Sequence, residues 1–205
     1  MLNEPAAQPR KKPRQRRSQE TVAAILEATA RVLRAEGLEG ASTNKIAKVA
    51  GVSVGSLYQY FPNKQALVVA LAHQHSHEQL AQLTALLGDD LIAGAPADVV
   101  RRYVRATIEV HKEDPELHLA LTSAMITHGL GTALQDHKTA RELVYGYLML
   151  HRDVLDVPHP EHAAWILVTT VDMLIHTALF EDLARLDDPS FEAEIVRLVL
   201  RYVGL

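Results

Sequence analysis

No cysteine occurs among the 205 residues. A disulfide framework and a cysteine-based zinc finger are therefore excluded, and a reducing compartment suits the chain. No unbroken apolar run of about 18 residues is present, and the first nine residues hold no apolar h-region. Neither a membrane span nor a signal peptide is expected. Period-two alternation of useful length is missing, which argues against strands. Also missing are a nucleophile–base–orienter set, a Gly-rich phosphate loop and an HExxH-type metal motif. The absences leave a soluble, cytoplasmic, non-enzymatic chain with no membrane partner.

Hydrophobic residues make up 48% of the chain, enough for one or two domains with a buried core. The net charge of −4 conceals an asymmetry. Residues 1–64 carry 11 Lys/Arg against 5 Asp/Glu, and residues 65–205 carry 10 against 20. A basic end beside an acidic remainder points to a polyanionic partner at that end only.

Residues 1–17 hold three prolines and six cations, Arg10, Lys11, Lys12, Arg14, Arg16 and Arg17, with almost nothing for a core. They read as a disordered arm that is either a solvated tail or a strand of charge along a nucleic-acid backbone or minor groove. Helical periodicity then starts abruptly. Val22, Ile25, Leu26, Thr29, Val32 and Leu33 share one face between a Ser18 cap and a Gly37 stop. Ser42 or Thr43 caps a second helix with Ile46, Val49 and Ala50 inward, and Gly51 supplies the turn. Ser53 caps a third helix, Val54 to Tyr60, anchored by Leu57 and Phe61. Pro62 ends it, and Asn63 caps a fourth helix of about 64–87.

Further helical patterns cover about 96–113, 115–128, 132–155, 161–185 and 190–203, separated by Gly/Pro punctuation at 88–96, 129–131 and 156–160 and by the LDDP run at 186–189. The fold class is all-α, with about nine helices. The domains are an arm over 1–17, a helix-turn-helix domain over 18–64 and a helical remainder over 65–205.

A helix-turn-helix reads the major groove when its second helix presents short side chains at its N-terminus. Val54, Gly55 and Ser56, preceded by Ser53, meet that need. Phosphate contacts come from hydroxyls, cations and helix N-termini on either side. Thr43, Tyr58, Tyr60 and Lys64 stand where they could clamp both backbones of one groove, although Tyr58 alone would also fit a packing role. No long polar side chain occupies 53–56, so base readout shifts toward Lys45, Gln59 and the arm, including Arg14, Arg16 and Arg17.

The composite of Ile46-Ala47, Ala50-Gly51-Val52-Ser53, Gly55, Leu57-Tyr58, Tyr60-Phe61, Lys64 and Leu67 resembles the TetR family of bacterial transcriptional regulators over about residues 18–67. The resemblance implies Thr43, Ser56, Tyr58, Tyr60 and Lys64 as phosphate contacts, with Ser53, Val54 and Gly55 at base edges. It also implies a homodimer on a palindromic double-stranded DNA operator, made by the last two helices, about 161–185 and 190–203. Burial inside one subunit would leave the same apolar pattern in those helices.

The resemblance further implies a C-terminal ligand-binding domain and a repressor released by a small-molecule inducer, with no cofactor. Tyr103, Leu121, Met125, His128, Tyr145, Trp165, Thr169, Asp172, Met173 and His176 are the residues offered to that inducer. Asp172 is an acid in an apolar helix and needs a partner, a ligand or a solvated dimer seam; His176, one turn on, could be that partner. A regulator answering to a protein partner, or to no ligand, is the alternative. His73 and His77 share a helix face at metal-site spacing, but a surface histidine cluster is the default, and no metal is expected.

Overall fold

A computed structural model of the chain describes residues 16–88, 94–127 and 135–205. Nine α-helices and no strand occur among the described residues: α1 Arg16–Gly40, α2 Thr43–Ala50, α3 Val54–Tyr60, α4 Lys64–Leu87, α5 Pro96–Lys112, α6 Pro115–Thr127, α7 Gln135–Leu150, α8 Pro160–Glu181 and α9 Pro189–Tyr202. A short 3₁₀ turn, Leu183–Asp187, joins the last two.

The chain divides into two compact units, Met1–Ser76 with Glu116–Ala133, and His77–Pro115 with Leu134–Leu205. The sequence suggested a boundary at 64/65. The packing boundary instead falls inside α4, because Ala66, Leu67, Val68, Leu71 and Ala72 are buried in the same core as α1–α3. Leu117, Leu121, Ala124 and Met125 of α6 join that core from a distant part of the chain.

In the first unit the expected stripe of α1 is buried, with Ile25, Leu26, Thr29, Val32 and Leu33 inward. Gly37 takes φ 64° and breaks the helical path there, as expected of a residue without a Cβ penalty in the left-handed region. The expected Ser18 cap is displaced. Arg16 and Arg17 are already helical, so Ser18 lies inside α1 rather than capping it. Ile46, Leu57, Phe61 and Leu67 are each at most 1% exposed, and full burial of such side chains stabilises by about 1.5–3 kcal/mol each. Val49, expected to face inward, is exposed, and Ala47 takes its place in the core.

In the second unit α7 packs on α8, α5 packs on α9 and α8, and the 3₁₀ turn packs on α8 and α9. Two helices end earlier than their apolar patterns suggested. α7 stops at Leu150, and α8 stops at Glu181 where Asp182 swings to φ −161°. Asp188 then caps α9 by accepting from the Ser190 amide at 2.8 Å, with Pro189 at the first helical position. By length and composition α8 could cross a membrane. It nevertheless buries Ala164, Val168, Val171, Ile175 and Leu179 within this unit and carries Asp172 at only 15% side-chain exposure, the pattern of a core helix.

Candidate nucleic-acid interface and effector cavity

The reading head is set by its caps. Ser42 accepts from the Lys45 amide at the start of α2, and Ser53 accepts from the Ser56 amide at 3.0 Å at the start of α3. Between them Gly51 sits at φ 68°, ψ 26°, a left-handed C-cap whose amide donates back to the last turn of α2. This αL step turns the chain tightly enough for Val52 to donate to the Ala47 carbonyl at 3.0 Å. The N-terminal edge of α3 then presents exposed Ser53 and Gly55, with half-buried Val54 and Ser56. The Ser53 and Ser56 hydroxyls lie 2.8 Å apart, so both short polar groups of this edge are engaged with each other. A Cβ added at Gly55 would meet nothing nearer than 3.8 Å. The edge is therefore open, and a second backbone can approach it closely.

Thr43 and Tyr58 come together from α2 and α3, their hydroxyls 3.1 Å apart at the surface. Two O–H donors at that spacing can both reach one phosphate. Tyr60 is braced differently. Its hydroxyl accepts from Ser18 at 3.0 Å, which ties the first turn of α1 to the end of α3 and leaves the phenolic O–H able to donate. The same contact sets exposed Arg16 and Arg17 at the α3 end of the unit.

Lys64 donates to the Leu38 carbonyl at 2.9 Å, near the broken end of α1. One of its three N–H groups is occupied, and it serves packing as well as any phosphate. Lys45 is drawn away from the reading edge toward Glu36 and the Gly40 carbonyl. At 40% and 39% side-chain exposure that ion pair contributes only about 0–1 kcal/mol, so an approaching phosphate could compete for the lysine. Gln59 is exposed on α3. Lys48, an exposed cation in the last turn of α2, was not singled out by the sequence pattern, although it lies three residues beyond Lys45 on the same helix. Arg10, Lys11, Lys12 and Arg14 lie outside the described residues.

The second unit contains a partly open, almost wholly apolar cavity of about 120 Å³. Three helices line it in the same phase: Leu80, Leu83, Thr84 and Leu87 of α4; Pro96, Val99, Val100 and Tyr103 of α5; Ala140, Leu143, Val144, Tyr147 and Leu148 of α7. Leu167 and Val171 of α8 and Val199 of α9 help to close it. Its polar side chains are the phenols of Tyr103 and Tyr147 and the Thr84 hydroxyl, which donates to the Leu80 carbonyl. Tyr147 Oη is buried and has no protein partner among the described residues. Burial pushes the Tyr103 phenol far above its usual range, and the field of Asp172 adds to the effect. A larger depression of about 690 Å³ between α5 and α9 is an open groove rather than a cavity.

Of the ten residues offered to an effector, only Tyr103 lines this cavity. Leu121 and Met125 belong to the core of the first unit. His128 lies outside the described residues. Tyr145, Trp165 and Met173 point outward at 42%, 53% and 56% exposure. Thr169 is half-buried with an unpartnered Oγ1 among the described residues. Asp172 and His176 form a largely buried pair at 3.1 Å, the partnership that an acid in an apolar helix required. Burial pushes the Asp172 carboxyl up, but hydrogen bonds from His111 and His176 and the charges of His176 and His137 outweigh it and hold the group well below the carboxylate range. Burial lowers His176, and its bonds to Asp172 reverse this, leaving the ring more basic than usual.

Trp165, Ile166, Met173, Leu174 and Phe180 of α8, together with Leu198 and Tyr202 of α9, leave a large apolar surface exposed. A groove of about 460 Å³ runs along it between Leu174, Phe191, Ile195 and Leu198, edged by Glu194, Arg197 and Arg201.

Residues 25–71 match a family profile described as bacterial regulatory proteins, tetR family. Residues 96–202 match one described as tetracyclin repressor-like, C-terminal domain. The HTH-type transcriptional regulator RutR of Escherichia coli K12 is 36% identical over 93 residues, 45% of this chain and 42% of its own length; the chain thus spans less than half of that relative. A Mesorhizobium loti protein described as a TetR-family regulator superposes with TM-score 0.72 at 21% identity, covering 93% of this chain and 100% of the other. SmeT, the repressor of the Stenotrophomonas maltophilia multidrug efflux pump SmeDEF, superposes with TM-score 0.65 at 21% identity, covering 89% and 91%. At those identities the two structures establish a shared fold.

Proposed function

Since the chain belongs to the TetR family of bacterial regulatory proteins and is a transcriptional regulator, we propose that it acts in the cytoplasm as a homodimeric repressor. It binds a palindromic operator through two copies of the α2–α3 head and releases it when a small molecule occupies the second unit. The observation that carries this reading is the apolar cavity in the second unit of a chain whose first unit bears an open reading edge.

The cavity is apolar apart from Thr84 and two phenols, and such a site selects a small, largely hydrophobic effector with one group able to bond Tyr147. About 120 Å³ is close to the volume of an apolar cavity that accepts benzene, so a larger effector would have to enlarge the site as it enters. Enlargement is itself a route to regulation. A ligand that favours the expanded arrangement shifts the population toward it and away from the DNA-competent form.

In the first unit, Thr43, Tyr58, Tyr60, Lys64 and Ser56 hold phosphates, while Ser53, Val54 and Gly55 lie against base edges. Gln59, Lys45, Arg16, Arg17 and Arg14 add contacts around the groove. The exposed apolar surface of α8 and α9 supports pairing of two copies, which a palindromic operator requires. No catalytic role is assigned, in keeping with relatives that are regulators.

The test is a fluorescence-anisotropy titration of the purified chain against a duplex from upstream of its own coding sequence, repeated with fractions of small-molecule extract. Saturable binding of two chains per site, weakened by at least one fraction, supports the reading. Binding that no fraction changes would favour a regulator without a small-molecule effector.

A further inference from the structure

Residues 65–205 carry 10 Lys/Arg against 20 Asp/Glu, yet four of those cations, Arg101, Arg105, Arg197 and Arg201, line one groove. It is the open groove of about 690 Å³ between α5 and α9, and all its lining residues belong to the second unit. A single carboxylate, that of Glu192, lines it with them. The groove thus holds a surplus of positive charge within an acidic stretch of chain.

The cations are arranged in the same way on both walls. Arg101 and Arg105 stand four residues apart on α5, and Arg197 and Arg201 stand four apart on α9. Residues at that spacing are neighbours on a helix face, and like charges there are unfavourable. Each wall therefore carries a repulsion, and an anion seated between the walls relieves both.

The carboxylates already present answer only part of this need. Arg101 pairs with Asp98 at 2.8 Å, Arg105 with Glu192 at 2.9 Å, and Arg197 with Glu194. Asp98 and Glu194 are exposed and do not line the groove, and pairs between exposed side chains are weak and readily exchanged. The Arg201 side chain has neither an ion pair nor a hydrogen bond among the described residues. A ligand must compete with carboxylates for three of the four forks. A phosphoryl group, with about two charges and three acceptor oxygens, does so better than another carboxylate, and its oxygens match the guanidinium fork. The remaining lining, Pro189, Ala193, Val196, Leu200 and Leu205, is apolar and suits an uncharged organic body. The volume lies within the range of small-molecule sites.

We propose that this groove binds a small organic diphosphate, its two linked phosphoryl groups held by the four arginines and its organic body on the apolar lining. The site is separate from the cavity and does not depend on the effector proposed there. Val99, Val100 and Tyr103 of α5 and Val199 of α9 line the cavity, whereas Arg101, Arg105, Val196 and Leu200 line the groove. Sequence reading placed a polyanion at the basic end only. The arginines of the groove come from two distant helices, so charge counted along the chain could not reveal it.

The test is calorimetric titration of the full-length chain with ADP, inorganic pyrophosphate and adenosine, in EDTA at about 0.15 M salt. The expected result is one ADP bound per chain, weaker binding of pyrophosphate and none of adenosine. Arg201→Ala and Arg101→Ala, both at exposed positions, should each lower ADP affinity by at least ~10-fold. Lys138→Ala, an exposed cation of α7 outside the groove, should leave it unchanged. The reading head is also cationic, so Lys48→Ala is compared with them. A loss in Lys48→Ala with none in Arg201→Ala would move the anion to the α2–α3 head and overturn the site. No ADP binding, or pyrophosphate binding as tight as that of ADP, would overturn it equally.

Discussion

Tyr147→Phe should make the free protein more stable and its regulation worse. The hydroxyl is buried and has no protein partner among the described residues, and its residue lines the cavity. A polar group taken from water without a compensating bond costs about 1–3 kcal/mol on mutational scales. A water in the cavity could relieve that cost only with two or more polar partners, and the lining offers almost none beyond Thr84 and the phenols. Removing the oxygen while keeping the ring should therefore stabilise by about 1–2 kcal/mol, which for a chain of this length raises Tm by roughly 2–8 °C. If the same hydroxyl is the handle for the effector, the substitution removes one hydrogen bond and weakens the effector by about 2–10-fold. Calorimetry on the free protein measures the first quantity, and effector dose-response in the DNA-binding assay measures the second. A Tm that falls would show that the hydroxyl is satisfied in the native state and would refute the reasoning.

Thr43→Val and Tyr58→Phe each remove one hydroxyl of the surface pair; each should weaken binding to operator and unrelated duplex by the same factor, because phosphates carry no sequence, and competition titrations that show loss on the operator alone would contradict it. Gly51→Ala meets no steric obstacle but places a Cβ at φ 68°, so it should destabilise by about 1–2 kcal/mol in chemical denaturation, with DNA affinity falling alongside. Leu198→Glu puts a charge in the middle of the exposed α9 surface; sedimentation should show dissociation to monomers with an unchanged circular dichroism spectrum, and a persistent dimer would move the interface elsewhere.

The reading head was legible because its determinants are local. Caps at Ser53 and Asn63, the αL glycine at 51 and the anchors Leu57 and Phe61 follow from short-range rules, and all are found in place. The cavity was also written in the sequence, as the i, i+3, i+4, i+7 series from Leu80, Pro96 and Ala140. Choosing residues by chemical type instead of helical phase led to Tyr145, two positions from Tyr147 and on the outer face of α7. Leu121 and Met125 could not have been placed from sequence. Their pattern says only that they are buried, and which core takes them depends on a long-range return of α6 to the first unit. The tether of Lys45 to Glu36 likewise arises from contact between segments nine residues apart across a loop.

The central claim is that occupancy of the cavity controls DNA binding, and Ala140→Leu tests it most directly. Ala140 lines the cavity, so added methyl groups there take up space without touching the reading head. Anisotropy titrations of wild type and variant against the same duplex, with and without an active extract fraction, give the comparison. The account predicts equal DNA affinity without the fraction, release of the wild type by it, and a variant that stays bound. Equal release of both proteins would contradict it, since the effector would then act somewhere other than this cavity.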